Sequence, residues 1–199
     1  MVKVGETTPA TTEAMFTILC DRLDDIDDLL LEDVSPREAW AGIDDERVIR
    51  REIARELRSR SNGAYTVDQE AATADEKETD IRLRVASTGQ QAIIELKVGE
   101  KPRSASQLLE TLREQLLKKY MAPHDCRAGC LLISVATDRT WQHPHTKMVL
   151  DLAALIDLLN AECHAIMNEM GGGLKMMAKG LDLRARLPTE RNRNSGSKK

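Results

Sequence analysis

Aromatic side chains are almost missing from this chain of 199 residues, which has one Phe, two Tyr and two Trp. That scarcity excludes a stacking ladder for single-stranded nucleic acid, which needs several ring faces in series. Cysteine is sparse and poorly spaced for a metal. Cys126 and Cys130 make half of a zinc site with no second pair, and Cys20 and Cys163 stand apart. The thiols are expected to be reduced and structural, in a cytoplasmic protein. His124, His143, His145 and His164 show no HExxH or similar spacing, so a histidine-based zinc centre has no support. No apolar run reaches the length of a membrane span, Met1 is not followed by a secretory signal, and no internal repeat occurs. The expectation is a soluble intracellular domain, long enough to bury a core without disulfides or structural metal.

Charge is present but unevenly placed. Residues 1–46 carry 3 basic and 13 acidic side chains, whereas residues 175–199 carry 8 basic and 2 acidic. The net charge of −4 hides this polarity, which bears on partners rather than on fold. From Thr12, taken as an N-cap, Phe16, Leu19, Leu23, Ile26 and Leu30 step by three and four, as on an amphipathic helix. Its other face holds Asp21, Asp24, Asp25, Asp27 and Asp28. That face reads either as a solvated surface or as a docking surface for a homodimer or protein partner, or as a flap over a basic cleft.

After Ser35-Pro36 a second helix is expected from Asp44 to Arg60, ended by Asn62-Gly63. A short strand at 64–67 leads to Glu70, and an acidic connector (75–78) follows. Residues 79–85 and 93–98 alternate apolar and polar around the turn Ser87-Thr88-Gly89-Gln90, which predicts a hairpin with one buried face. Ser104 or Ser106 caps a helix to Met121, with Leu108, Leu109, Leu112, Leu116 and Tyr120 on its buried stripe and Gln115 at the border. Residues 130–135 read as a strand covered on both faces. A loop follows at Trp141–His145, where Trp141, His143 and His145 are candidates to line a groove but a packed loop tryptophan is the favoured reading, then a helix from Lys147 to Met170 and a last strand from Leu174 to Ala185.

The chemistry concentrates in the hairpin. Glu95 and Lys97 are two apart on one strand, so they share a face about 7 Å apart. A turn symmetric about Thr88-Gly89 sets Asp80 opposite Lys97 and Arg82 opposite Glu95, with Asp80, Glu95 and Lys97 on one side. Two carboxylates and the carbonyl of Leu96 form a hard-oxygen set suited to magnesium, or to manganese in its place. Beside them Lys97 can hold a water or steady charge on a phosphate. Cross-strand ion pairing explains the same residues without any metal.

The order helix, three strands, helix, strand from Glu46 to Val135, with Asp80 on one strand and Glu95-Leu96-Lys97 on the next, resembles the PD-(D/E)xK nuclease superfamily. Gln115 through Tyr120 is similar to the glutamine-to-tyrosine motif of its RecB-like branch. Thr79 stands where the motif has proline. Four residues separate Gln115 from Tyr120 where the RecB-like motif usually has three, which on an α-helix turns Tyr120 by about 100°. No cysteine quartet for an iron–sulfur cluster follows, unlike in some RecB-like members. The resemblance implies an α/β protein with a restriction-endonuclease-like αβββαβ core, a mixed central sheet flanked by helices, and an extra N-terminal helix and C-terminal helix-strand. It divides the chain into an acidic N-terminal appendage (1–43), a nuclease-like domain (44–187) and a disordered basic tail (188–199).

It also implies a magnesium-dependent nuclease acting on DNA, with Asp80, Glu95, Lys97 and Gln115 as catalytic residues. The metal would sit on Asp80, Glu95 and the Leu96 carbonyl, with Glu46 as an extra acid; first-turn dipole complement explains Glu46 equally well. Glu70 either extends the acidic cluster or pairs with Arg82. Lys101, Arg103, Arg113, Lys118, Lys119 and the basic tail would contact phosphates without reading sequence. The other reading of the same residues is a module of this fold that binds nucleic acid or a protein without cutting.

Overall fold

In the computed structural model, residues 8–69, 80–122 and 124–185 are described; for Gln69 and Asp80 this extends to the backbone alone. Glu70, the connector 75–78, Thr79 and the basic tail lie outside the described residues. Helix α1 (Thr12–Leu31) is capped not by Thr12 but by Thr11, whose hydroxyl accepts the Ala14 N–H. Its buried stripe is Met15, Leu19, Leu23, Ile26 and Leu30, and Phe16 sits at the margin of the core. A five-residue helix that periodicity does not reveal, α2 (Arg37–Ala41), is anchored by the buried Trp40. Helix α3 (Glu46–Ser59) starts two residues later than expected, because the Asp45 carboxylate accepts the Arg47 N–H as N-cap.

The central sheet contains β1 (Thr66–Gln69), β2 (Asp80–Arg84), β3 (Gln91–Val98), β4 (Cys126–Val135) and β7 (Lys175–Asp182), in the order β1-β2-β3-β4-β7. Strand β2 is antiparallel to both neighbours, while β4 and β7 run parallel to β3. Parallel neighbours need crossovers, and both of these carry helices. Helix α4 (Ala105–Glu110) and a π-helix (Thr111–Tyr120) link β3 to β4. The small hairpin β5 (Trp141–Gln142) and β6 (Val149–Leu150), then α5 (Leu152–Met170), link β4 to β7. The expected loop and helix start at 141–151 are thus corrected: Asp151, not a residue near Lys147, caps α5 by accepting the Ala154 N–H.

Helices cover both faces of the sheet. Ala92, Ile94, Leu96 and Val98 of β3 join α1, α3 and the even residues of β4 in one core. Ile93 joins α4, the π-helix and α5 in the other. The expectation of a hairpin with one wet face therefore fails for β3, which is buried from Ala92 to Val98. Its parallel partner brings a crossover helix over the second face, as parallel pairing requires. Part of the acidic face of α1 is used within the fold, since Lys179 of β7 pairs with Asp24 and Asp27 and Lys175 pairs with Glu13.

The outer edge of β7 is covered. The Asn160 side chain of α5 accepts the Ala178 N–H (2.8 Å) and donates to the Ala178 carbonyl (3.0 Å). The Met167 sulfur accepts the Met176 N–H, and Arg37 donates to the carbonyls of Asp182 and Arg184. Among the described residues no helix is long and apolar enough to cross a membrane.

Tyr65 ties α3 to the start of the sheet, its buried hydroxyl donating to the Leu57 carbonyl (2.8 Å). Burial pushes this phenol up to about 12, against about 10 in an unfolded chain. A folded pKa above the unfolded one gives stabilisation that is complete below about pH 10 and lost as pH rises to about 12. About 3 kcal/mol of alkaline destabilisation is expected from this group. Urea unfolding of Tyr65→Phe should show a flatter alkaline limb than wild type; parallel limbs would rule the assignment out.

Candidate active site

The pairing of β2 with β3 decides the geometry. Asp80 stands opposite Glu95, and Arg82 opposite Ile93, two residues away from the expected pairing of Asp80 with Lys97 and Arg82 with Glu95. The physical cause is the turn, which closes with Gly89 N–H donating to the Val85 carbonyl and Val85 N–H donating to the Gln90 carbonyl. That centres the hairpin one residue earlier. A slip of two preserves faces, so the register position of Asp80 stays on the face of Glu95 and Lys97.

The Val85–Gln90 bond also fixes the alternation along the ladder. Arg84–Gln91, Arg82–Ile93 and Asp80–Glu95 fall at the non-hydrogen-bonded positions, where opposed Cα atoms are about 4.5 Å apart and side chains closest. Odd residues of β3 turn their backbone groups to β4, as Gln91 N–H to Asp125 O and Gly99 N–H to Ser134 O show. Leu96 therefore turns its carbonyl to the β2 side, one residue beyond Glu95 and its described partner Asp80. The position opposite Leu96 lies outside the described residues.

On this face Glu95 is 1 % and Lys97 6 % exposed. Lys97 Nζ donates to Glu95 Oε1 at 2.5 Å. The ammonium borders a cleft of about 370 Å³ lined also by Arg103, Gln107, Glu110, Thr111, Glu114 and Gln115. Gln115 thus meets Lys97 across the cleft. Gln107, Thr111 and Gln115 follow one another at intervals of four, on the flank of the helix beside the stripe of Leu108, Leu112 and Leu116. That polar stripe is the sequence signal for the wall, of which the glutamine-to-tyrosine motif marks Gln115 alone.

The helix bearing Gln115 is not α-helical throughout. Ser104 and Gln107 form a capping box at its start, but from Thr111 the bonds run five residues back, ending with Met121 N–H to the Leu116 carbonyl at 3.1 Å. The expected single α-helix from Ser104 or Ser106 to Met121 is corrected accordingly. A π-turn holds one residue more than an α-turn, and π segments are frequent at functional sites. The extra residue between Gln115 and Tyr120 lies inside this segment, with Tyr120 buried and Gln115 exposed to the cleft. Gly129 of β4 permits the fit: a Cβ there would stand 2.5 Å from the Met121 sulfur and 3.1 Å from Leu116.

Glu46 is buried at the end of β3, where its Oε1 accepts the Val98 N–H (3.3 Å) and faces Arg103 Nη1 at 2.6 Å. Val98 lies beyond the described pairs of β2 with β3, and Glu46 supplies an acceptor for its N–H. Arg103 is accordingly held by a carboxylate while it lines the cleft. Lys118 pairs with Glu114, Lys119 lies over the Tyr120 ring, and Lys101 is exposed. Arg113 is drawn away to Glu162 and Glu169 of α5. Trp141 is buried against Gly99, as a packed loop tryptophan should be, and a Cβ on Gly99 would come within 2.9 Å of the Ser134 carbonyl.

Among the described residues no three His, Cys, Asp or Glu side chains gather as a metal-holding group; the Asp80 side chain is outside that description. The register nevertheless sets two carboxylate-bearing positions opposite each other, with a backbone carbonyl turned to the same strand gap. All three are hard oxygen donors that suit magnesium rather than zinc. Comparison of the chain with protein-family models, with curated proteins and with solved structures finds no match.

Proposed function

We propose that the protein is a metal-dependent nuclease that hydrolyses DNA phosphodiester bonds. One observation carries this reading: Asp80 is paired directly with Glu95, and Lys97 follows on the same face at the floor of a cleft walled by Gln115. The chain order α3, β1, β2, β3, α4 with the π-helix, and β4, in a mixed sheet with β2 reversed, supports a restriction-endonuclease-like core. Asp80, Glu95 and the Leu96 carbonyl would hold magnesium, or manganese in its place. Such an ion, when bound, polarises a phosphoryl oxygen and lowers the pKa of water.

The remaining work falls to the chain itself. Lys97 directs an N–H at the attacking water or at the phosphate oxygen on which charge builds, and its burial strengthens that interaction. Glu95 fixes the ammonium by accepting one of its three donors. Gln115 offers an amide from the opposite wall to orient the phosphate, and Arg103, braced by Glu46, holds its neighbour. The product expected from the resemblance is a 5′-phosphate.

Glu110 and Glu114 favour the second reading, a module of the same fold that binds without cutting, because carboxylates on the cleft wall repel a phosphodiester. Titration calorimetry separates the two. Wild type should bind magnesium or manganese at one site, and Asp80→Asn should weaken that binding at least about tenfold. No heat of binding with either ion would support the non-cutting module.

A further inference from the structure

Strand β3 leaves the sheet after Val98 and becomes the loop that brings Arg103 to the cleft. Gly99 N–H still donates to the Ser134 carbonyl (2.7 Å), as a further rung of the parallel ladder with β4. The rung after it would send the Ala136 N–H to the Gly99 carbonyl. That N–H goes instead to Oε1 of Glu100, at 2.6 Å. The same oxygen accepts the Thr137 N–H at 3.0 Å and the Thr137 hydroxyl at 3.3 Å. A carboxylate thus takes over the ladder where the backbone of β3 turns away. Bonds to an ionised acceptor are about twice as strong as neutral ones, so this tie is a firm one.

The segment that Glu100 grips holds the other end of the loop as well. Arg139, two residues after Thr137, donates to the Arg103 carbonyl (3.3 Å) and lies over the Trp141 ring at 5.5 Å. Between these ties the loop folds on itself, with Lys101 N–H donating to the Val98 carbonyl (3.3 Å) and Arg103 N–H to the Lys101 carbonyl (2.7 Å). Residues 136–139 are therefore a clasp closed on both ends of 100–103. The Arg103 side chain meets Glu46 and the cleft, whereas Glu100 is not among the residues that line the cleft. Lys97 is seated in another way. It lies within the β3 ladder, opposite Ile133 of β4, and is bonded to Glu95.

We infer that Glu100 is a positioning residue, whose carboxylate clasps the loop so that Arg103 is already set to hold a substrate phosphate. Glu100 touches neither the substrate nor the reacting atoms. Without it one end of the loop is released, and Arg103 has to be ordered each time substrate binds. That cost falls on binding and not on the chemical step, which belongs to the separately seated Lys97. The inference rests on the phosphate-holding role of Arg103 in the proposed function but not on cleavage.

The test is a double-mutant cycle on the full chain, read as cleavage of a DNA duplex with magnesium and as affinity for that duplex with a chelator. Arg103→Ala should raise KM and Kd at least about tenfold, the loss of one charged contact. Glu100→Ala should raise both severalfold with kcat little changed. Glu100→Gln, which keeps an acceptor oxygen for the two N–H groups, should recover most of that loss. The double variant Glu100→Ala, Arg103→Ala should bind no more weakly than Arg103→Ala alone, because no guanidinium is left to position. Arg139→Ala opens the other end of the clasp and should couple to Arg103 in the same way, so it carries the cycle if Glu100→Ala does not fold. Additive losses in the double variants overturn the inference. So does a fall in kcat at unchanged KM, or a Glu100→Ala protein that binds like wild type. If the coupling appears in binding but magnesium produces no cleavage, the nuclease reading fails and the clasp stands; cleavage with additive losses gives the reverse. Wild type that neither binds nor cuts the duplex overturns both.

Discussion

Replacing Lys97 by alanine is expected to lower magnesium-dependent cleavage of duplex DNA about a hundred- to a thousandfold in kcat, the cost of removing one buried donor aimed at developing charge. The loss should fall on kcat more than on KM, because the ammonium lies at the cleft floor and not among the exposed lysines that meet flanking phosphates. Lys97→Arg should recover little: a planar guanidinium is longer and does not replace a point charge seated 2.5 Å from Glu95. Wild type and Lys97→Ala with equal trace activity would end the catalytic assignment. The measurement needs folded protein, which leads to the second expectation.

Glu95 and Lys97 are a buried ion pair, and such pairs are asymmetric in their energetics. Removing one partner strands a charge in a poorly solvated place and costs about 3–5 kcal/mol, whereas replacing both with apolar or neutral groups is often neutral or stabilising. Lys97→Met alone should therefore shift urea unfolding by about 3–5 kcal/mol, and so should Glu95→Leu alone. The double variant Glu95→Leu, Lys97→Met should regain most of this and approach or exceed wild type, because Ile93 and Ile133 already make the neighbouring positions apolar. Additive losses in the double variant would show that the two charges are solvated separately. Recovery of stability with no recovery of cleavage would mark the pair as a functional device kept against the interest of the core.

The caps at Asp45 and Ser104 announce their helices within a residue or two, and the apolar runs of α1, β4 and α5 announce a buried sheet. The face shared by Glu95 and Lys97 follows from their spacing alone. The pairing partner of Asp80 does not, because it depends on which carbonyl Gly89 N–H selects in the turn. A two-residue error of that kind leaves faces intact, which is why the candidate constellation outlived the wrong pairing. The burial of β3 on both faces is hidden for a different reason: a polar pair inside a covered strand looks, in sequence, like a wet face. Leu108, Leu112, Leu116 and Tyr120 recur strictly by four, longer than the 3.6 of an α-helix. That spacing is the trace of the π-segment, visible once the wider turn is considered. Nothing periodic marks the five residues of α2 or the two-residue strands β5 and β6, which long-range packing of Trp40 and Trp141 creates.

The covered edge of β7 has a consequence for how the molecule can associate. Asn160, Met167 and Arg37 occupy several of the groups with which an incoming strand would bond, and β1 at the opposite margin is only four residues long. The sheet is thus self-limiting: it offers little template for strand-by-strand growth, natural or pathological.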